Sequence, residues 1–200
     1  MFSKRCGRGG ATLVPGPSDT MKPILALCRA IDALNERVGR AVYWLVLAAV
    51  IVSAGAAFSR YAFSVSSNAW LELQWYLLSL VFLLAAGYTL RHDGHVRVDV
   101  LYSRLPKRAQ AAVDVFGGLT MLLPMTLLIA WLSWRTFQLS FDVREMSPDA
   151  GGLPRWPIKL VVPLGFALLA LQGVSETVKR IAFLAGAAPP PEPPAPPERP

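Results

Sequence analysis

The hydrophobic positions of this chain are gathered into four long runs that are separated by short polar segments. A bilayer's hydrocarbon core is about 30 Å thick and takes roughly 20 helical residues at 1.5 Å each. The shortest run, Leu160 to Ser175, reaches that length if the flanking Lys159 and Lys179 snorkel. The pattern predicts an all-α integral membrane protein with four transmembrane helices, over about residues 41–63, 69–90, 113–135 and 157–178.

A proline in the third run and an acidic residue in the second run stand out from the hydrophobic pattern. Pro124 lies near the middle of the third run, where neighbouring helices or water can compensate for the lost backbone hydrogen bond, so we expect a kink there. Glu72 lies about one turn inside the second run. Arg60 lies at a matching depth near the end of the first run, and a short loop joins the two. We therefore predict a structural ion pair between Arg60 and Glu72 rather than a substrate or proton-relay site.

The segment before the first run is amphipathic. Apolar residues recur there at helical spacing, and charged residues occupy the other face. The apolar set is Ile24, Leu27, Cys28, Ile31, Leu34 and Val38, and the charged set is Arg29, Asp32, Glu36, Arg37 and Arg40. Two interpretations stay open: an amphipathic helix along the membrane interface, or an extension of the first span into the cytoplasm.

A second, shorter helix is predicted between the second and third runs. Val98, Leu101, Tyr102 and Leu105 have helical spacing, and Pro106 would end such a helix. The two ends of the chain differ in composition from everything between them. Residues 1–20 are basic and rich in glycine and proline, and 185–200 form a proline-rich tail. We expect both ends to be disordered around a membrane domain at 21–184, with Met21 as a candidate start.

Charge gives the orientation. The chain carries a net charge of +7, is 54% hydrophobic and only 16% charged, and concentrates its basic residues before the first run and between the second and third. The loop at 61–68 has none. The positive-inside rule then places both termini and the second loop in the cytoplasm, with the first and third loops outside. Membrane orientation therefore explains the excess of basic residues, and we expect no nucleic acid partner. We expect membrane lipids to be the partners of these residues.

The pattern of reactive side chains argues against an enzyme. The sequence contains no glycine-rich phosphate loop, no serine or cysteine nucleophile paired with histidine, and no paired carboxylates. A polar group follows the second run, but its spacing is poor for a tetrahedral metal site, and we interpret it as a solvated helix cap: His92, Asp93, His95, Arg97 and Asp99. The four runs contain no histidine that could ligate haem, and we expect no cofactor.

Several short stretches resemble a known family. Asn68 to Glu72, then Ala85 to Arg91, then Gly94 to Asp99 resemble the DctQ-type small permease subunit of tripartite ATP-independent periplasmic (TRAP) transporters. Further stretches, Gly152 to Lys159 and Val162 to Gly165, resemble the last loop and helix of the same family. The motif residues that carry the resemblance are Trp70, Glu72, His95, Arg97, Asp99, Trp156, Pro157, Lys159 and Pro163.

This resemblance implies a scaffold in the bacterial inner membrane rather than a catalyst. Its partners would be a large multi-helix permease subunit and a periplasmic solute-binding protein, in ion-gradient-driven uptake of an organic acid or related solute. The third loop would face the periplasm and could help to dock the binding protein through Arg144, Glu145, Asp149 and Arg155. The alternative is a membrane anchor or assembly subunit of a respiratory-type enzyme complex, which histidines within the helices would favour.

Overall fold

The computed structural model describes residues 21–92, 102 and 104–188, which form α-helices and one π-helical turn. The helices are α1 (Met21–Phe63), α2 (Asn68–Arg91), α3 (Lys107–Gly117), α4 (Leu123–Asp142) and α5 (Trp156–Leu184), and the π-helical turn Gly118–Leu122 joins α3 to α4. Within these described residues, four helical stretches are long and apolar enough to cross a membrane, because α3, the π turn and α4 run on as one. The predicted all-α membrane protein with four spanning helices is confirmed.

The first helix, α1, is continuous over 43 residues. At 1.5 Å per residue it is about 65 Å long, roughly twice the thickness of a bilayer's hydrocarbon core. No proline or turn separates the amphipathic segment from the span, and one face of that segment is buried at Cys28, Asn35 and Val42, seven residues apart. The expectation of a separate interfacial helix is therefore wrong, and the alternative of an extension of the first span is correct.

The helix changes type directly before Pro124, and the kink expected there stays a prediction. Pro124 is the second residue of α4 and has no N–H to donate to the preceding turn. The residues directly before it form the π-helical turn, in which hydrogen bonds reach five residues back instead of four. The Thr126 hydroxyl donates to the carbonyl of Leu122 at 2.8 Å, so a side chain satisfies a carbonyl at the end of this turn. The proline is thus accommodated by local rewinding of the helix.

The last helix, α5, is the central element of the bundle. It packs against α1, α2, α3 and α4, whereas the main neighbour of α4 is α5 and that of α1 is α2. Small residues allow the close approach that membrane helices use. A Cβ added at Gly165 would lie 2.9 Å from the carbonyl oxygen of Leu83, and one added at Gly173 would lie 2.7 Å from a methyl of Leu122. The position of α5 therefore fixes the positions of its neighbours.

Three expectations fall outside the described residues. They concern the disorder of residues 1–20, most of the short helix between the second and third spans, and the proline-rich tail from residue 189. Tyr102 and residues 104–106 are described and precede α3, and Ala185 to Ala188 follow α5 as turn and bend residues. These three expectations stay predictions.

Candidate functional site

The third loop, between α4 and α5, is fastened to the start of α2. We call the residues at this attachment the loop cluster: Glu72, Glu145, Ser147, Lys159 and the backbone of Leu153. Glu72 accepts hydrogen bonds from the Leu153 N–H, at 2.6 Å, and from the Ser147 hydroxyl. Within the loop, the Ser147 N–H donates to the Leu153 carbonyl at 3.1 Å. One carboxylate on α2 therefore holds both sides of the loop.

Two neutral hydrogen bonds reinforce this attachment. The Tyr76 hydroxyl, one turn after Glu72, donates to the Pro154 carbonyl at 3.1 Å. The Asn68 amide, at the start of α2, donates to the Ala150 carbonyl at 3.1 Å. Asn68, Glu72 and Tyr76 are four residues apart, so they lie along one face of the helix. That face holds the loop along about two turns of α2.

The predicted ion pair between Arg60 and Glu72 is wrong. Arg60 donates to the hydroxyl of Ser66 at 3.5 Å, within the loop that joins α1 to α2. Glu72 is directed to the third loop and has its two partners there. Matching depth in sequence placed the two residues at the same level, but the rotation of α2 about its axis turns Glu72 away from α1. The structural role predicted for Glu72 stays a prediction, with the third loop in place of Arg60 as its partner.

Glu145 is the second carboxylate of the loop cluster. It pairs with Lys159 on α5 and accepts a hydrogen bond from the Ser140 hydroxyl at 2.6 Å. Hydrogen bonds from Lys159 and Ser140 hold the pKa of the Glu145 carboxyl below its usual range. The backbone N–H of Arg155 also donates to the Glu145 carbonyl at 2.9 Å. Glu145 therefore joins the two ends of the loop to each other.

The structure separates the four docking candidates into two pairs. Glu145 and Arg155 are half-buried, whereas Arg144 and Asp149 are exposed. The Arg144 guanidinium lies over the Phe141 ring at 4.3 Å and near the Trp156 ring at 5.7 Å, an arrangement in which the rings attract the cation. Arg144 and Asp149 are thus the members of the set that a partner could contact directly.

A second group of polar residues lies at the other end of α2. We call it the helix-end cluster: Asp32 and Asn35 on α1, and Gln172, Ser175 and Lys179 on α5. Asn35, Gln172 and Ser175 are fully buried. Gln172 accepts from the Asn35 amide at 2.9 Å and donates to Asp32 at 3.0 Å, and the Ser175 hydroxyl donates to Asp32 at 2.9 Å. Lys179 pairs with Asp32 at 2.6 Å.

Further ion pairs surround the helix-end cluster and connect it to α2 and α3. Arg91, the last residue of α2, pairs with Glu36 at 2.8 Å and donates to the Asp32 carbonyl at 2.7 Å. Arg180 on α5 pairs with Asp114 on α3. Buried charges are tolerated where they are paired and hydrogen-bonded, and here each pair joins two different helices. The cluster and its surrounding pairs therefore tie α1, α2, α3 and α5 together.

The sequence signal for this cluster is weak. Gln172 and Ser175 lie inside the shortest hydrophobic run, where uncharged polar residues do not interrupt the pattern. Asp32 was assigned to the charged face of an amphipathic helix, although it is directed to α5. Gln172, Ser175 and Asn35 were missed as site residues. Their spacing of three or seven from buried neighbours is the feature that could have identified them.

The sequence of the chain matches a known family of membrane proteins. The sequence profile of the family described as "Tripartite ATP-independent periplasmic transporters, DctQ component" matches residues 49–183, which is more than half of the chain. The chain belongs to this DctQ family. It is therefore a component of a transport system and is not an enzyme. No solved structure matches the chain.

A curated relative agrees with the family assignment. The DctQ-family chain is 27% identical over 110 residues to the "Ectoine TRAP transporter small permease protein TeaB" of Halomonas elongata. The match covers 55% of this chain and 56% of the relative, so the chain spans about half of that relative's length. This likeness supports a multi-pass bacterial membrane protein.

The DctQ motif residues occupy structural positions in the described part of the chain. Glu72 and Lys159 belong to the loop cluster, and Trp156 and Pro157 begin α5, with the Trp156 ring 5.3 Å from that of Phe141. Pro163 is buried inside α5, and Trp70 is 48% exposed in the first turn of α2. Three other motif residues lie outside the described residues: His95, Arg97 and Asp99.

His92 is the one member of the polar group after the second run that the structure describes. Its Nδ1 lies 3.0 Å from the Tyr88 carbonyl, and its Nε2 lies 3.7 Å from Glu36. Among the described residues, no group of histidine, cysteine and carboxylate side chains is arranged to hold a metal ion. His92 directly follows α2 and occupies the position of a helix cap. The described helices contain no histidine, which is the feature that would favour a subunit of a respiratory-type complex.

Proposed function

We propose that this chain is the scaffold subunit of a TRAP transporter. In this role it would hold a large multi-helix permease subunit in the bilayer while that subunit carries an organic acid or related solute, driven by an ion gradient. A periplasmic solute-binding protein would deliver the solute. The match of the DctQ profile to residues 49–183 carries this proposal. The relative from Halomonas elongata is named as the small permease protein of an ectoine TRAP transporter, which agrees with this proposal.

The polar clusters support a rigid rather than a moving part. The loop cluster fastens the third loop to α2 at one end. At the other end the helix-end cluster joins α1 to α5, and the Arg91–Glu36 pair joins α2 to α1. Motion of one helix against another would separate several hydrogen-bonded or charged groups at once, and each separation is costly in a low-dielectric environment. A subunit fastened at both ends suits a fixed frame against which a transport domain moves.

We assign the second half of α1, residues 43–63, to the large subunit. In the described structure α1 packs mainly against α2, and this half exposes Ile51 and Phe58 together with the small residues Ser53 and Ala57. Small residues spaced by four let a neighbouring membrane helix approach closely. Close approach stabilises the packing of one helix against another and is not needed for contact with lipid chains. This face therefore suits a protein partner.

Co-purification tests this assignment. The tagged chain is expressed with its genomic neighbours, extracted in mild detergent, and the bound proteins are identified. We expect a large multi-helix membrane protein in fixed ratio. Ser53→Trp should reduce its recovery at least about tenfold, the effect of losing 1.4 kcal/mol of binding. Thr136→Trp on α4, an exposed position away from α1, is the matched control. Recovery of the chain alone, or with a haem or flavin protein, would contradict the scaffold role.

We also propose that both termini lie in the cytoplasm and the third loop in the periplasm, because basic residues surround the second loop and the start of the chain. Single cysteines at Asp149 and at Lys107 should be labelled by a membrane-impermeant thiol reagent from the periplasmic and the cytoplasmic side respectively. Labelling of both from the same side would contradict this topology.

Arg144 and Asp149 then become the proposed contacts for the binding protein. Arg144→Glu would reverse an exposed charge and remove the cation from the Phe141 and Trp156 rings. We expect it to slow uptake at limiting concentrations of binding protein and to leave subunit assembly intact. Lys107→Glu, an exposed reversal at the other end of the bundle, is the control. Equal uptake in the two variants would exclude this contact.

A further inference from the structure

One side of α4 carries two charged residues that make no contact with the rest of the bundle. We call this side the α4 outer face; its members recur at helical spacing and are all exposed: Leu128, Trp131, Arg135, Gln138 and Asp142. Neither Arg135 nor Asp142 forms a hydrogen bond or an ion pair with another residue that the structure describes. Thr126 is buried and lies nine residues before Arg135, which is two and a half turns and therefore the opposite side of the helix.

The apolar part of the α4 outer face suits contact with acyl chains. α4 packs mainly against α5, and neither α1 nor α2 is among its main neighbours. Leu128 and Trp131, which precede Arg135 on this face, are 50% and 65% exposed. Large apolar side chains directed away from a bundle fit the bilayer, and exposed tryptophans near helix ends are typical of the membrane interface. These features favour lipid as the environment of this face.

Arg135 and Asp142 lie at the two edges of the headgroup layer. The third hydrophobic run ends at Trp134, directly before Arg135, so Arg135 lies where the hydrocarbon core ends. Asp142 is the last residue of α4 and lies about 10 Å further along the helix axis. Headgroups occupy about 5–8 Å on each side of the hydrocarbon core. A cation therefore lies at the inner edge of this layer and an anion at the outer edge.

The order of these two charges matches one class of lipid headgroup. In a zwitterionic phospholipid the phosphate is attached to the glycerol, and the ammonium lies beyond the phosphate, further from the acyl chains. Arg135 can donate to the phosphate through a planar fork of N–H groups, and Asp142 can accept from the ammonium. Gln138 lies between them and adds an amide donor. The Cα–Cβ bond of Asp142 tilts toward the start of the helix, hence toward Arg135, which shortens the gap that one headgroup has to span.

From this arrangement we propose that the α4 outer face binds one phospholipid whose headgroup carries a primary ammonium, as in phosphatidylethanolamine. The phosphate accepts from Arg135 and Gln138, the ammonium donates to Asp142, and an acyl chain lies along Trp131 and Leu128. The lipid belongs to the leaflet on the side of the third loop. It provides a partner for an arginine at the edge of the hydrocarbon core, where an isolated charge is costly. The site is formed by this chain alone and does not depend on the scaffold role.

Native mass spectrometry of the full chain tests the proposal. The chain is freed of lipid in detergent and then incubated with equal amounts of phosphatidylethanolamine, phosphatidylglycerol and phosphatidylcholine. We expect one phosphatidylethanolamine per chain to be retained with about fivefold preference over each of the other two, the upper end of what an exposed ion pair contributes. Phosphatidylglycerol has no cation for Asp142, and the quaternary ammonium of phosphatidylcholine has no N–H to donate. Equal retention of the three lipids would overturn the proposal.

Two single variants and a control locate the site. Asp142→Asn weakens the acceptor for the ammonium and should abolish the preference among the three lipids. Arg135→Gln removes the donor for the phosphate, which all three lipids share, and should lower the retention of each several-fold. Arg60→Gln changes an exposed arginine near the end of α1 on the same side of the membrane and should leave both quantities unchanged. Equal retention in Arg135→Gln and Arg60→Gln would overturn the proposal. If Arg135→Gln then also lost a protein subunit on co-purification, the α4 outer face would be assigned to a protein.

A charge swap tests the order of the two charges. Arg135→Asp combined with Asp142→Arg keeps the net charge of the face but places the anion at the inner edge of the headgroup layer, beside the lipid phosphate. We expect the swapped chain to lose its preference for phosphatidylethanolamine, because the ammonium and phosphate of the lipid cannot exchange depth. Thermal unfolding in the same detergent verifies that the swapped chain is folded. An undiminished preference in the folded, swapped chain would overturn the proposal.

Discussion

The contact between Gly87 on α2 and Asn35 on α1 gives the sharpest quantitative test of this structure. Gly87 is buried, and a Cβ added to it would overlap the Oδ1 atom of Asn35 and lie 3.1 Å from its Cγ. Asn35 is itself fully buried and cannot move away without breaking its hydrogen bond to Gln172, 2.9 Å long. Gly87→Ala therefore forces α1 and α2 apart or breaks the helix-end cluster.

The expected cost follows from two opposing contributions. Inserting a methyl group into a packed contact costs about 1–3 kcal/mol, and replacing glycine by alanine in a helix returns about 0.5–1 kcal/mol. The net loss lies between about 0 and 2.5 kcal/mol, and each kcal/mol lowers the unfolding temperature of a chain of this size by about 2–4 °C. Gly55→Ala on α1 is the matched control, because a Cβ there meets nothing within 4 Å. It should leave the unfolding temperature unchanged or raise it slightly.

A double variant separates this clash from a general weakening of the helices. Asn35→Ala alone should destabilise by about 1–3 kcal/mol, because Gln172 loses a buried partner. In the Asn35→Ala background, however, the space beside Gly87 is open, so adding Gly87→Ala should cost nothing further. Thermal unfolding in one detergent, followed by tryptophan fluorescence, measures the original chain, the three single variants and the double variant. Additive losses, or a Gly87→Ala variant as stable as Gly55→Ala, would refute the placement of α1 against α2.

Two further predictions concern the loop cluster. Glu72→Ala removes the acceptor for Leu153 and Ser147, so it should expose the third loop to protease several-fold more than Arg60→Ala does; equal cleavage would restore the Arg60–Glu72 pair as a candidate. Glu145→Gln should lower the unfolding temperature at pH 7, but the difference from the original chain should disappear as the pH falls. The sign follows because hydrogen bonds from Lys159 and Ser140 depress the pKa of Glu145, so its stabilisation is present above the ordinary pKa of 4.5 and is lost as the pH falls through the lower folded pKa. A difference that grows on acidification would contradict this assignment.

The hydrophobic runs alone predicted the helical class and the four spans, because the length of an apolar run is fixed by the thickness of the bilayer and needs no knowledge of neighbours. The motif around Trp70 and Glu72 and the one from Trp156 to Pro163 indicated the family correctly. The sequence also singled out Glu72, which holds the third loop to α2. The prediction that Arg60 is the partner of Glu72 was wrong. The sequence gives the depth of a residue along a helix, but it does not give the rotation of that helix about its axis.

Tertiary structure decided where the polar residues of the helices meet. Asn35 and Gln172 are 137 residues apart and hydrogen-bond only because α5 crosses α1 at that level. Similarly, the continuity of α1 depended on packing, since an amphipathic segment can bury its apolar face against lipid or against protein with the same spacing of residues. The sequence determines which residues leave water, because hydrophobicity is a property of each side chain. The pairing of residues inside the bundle depends on how the helices cross and rotate, and these are properties of the folded chain alone.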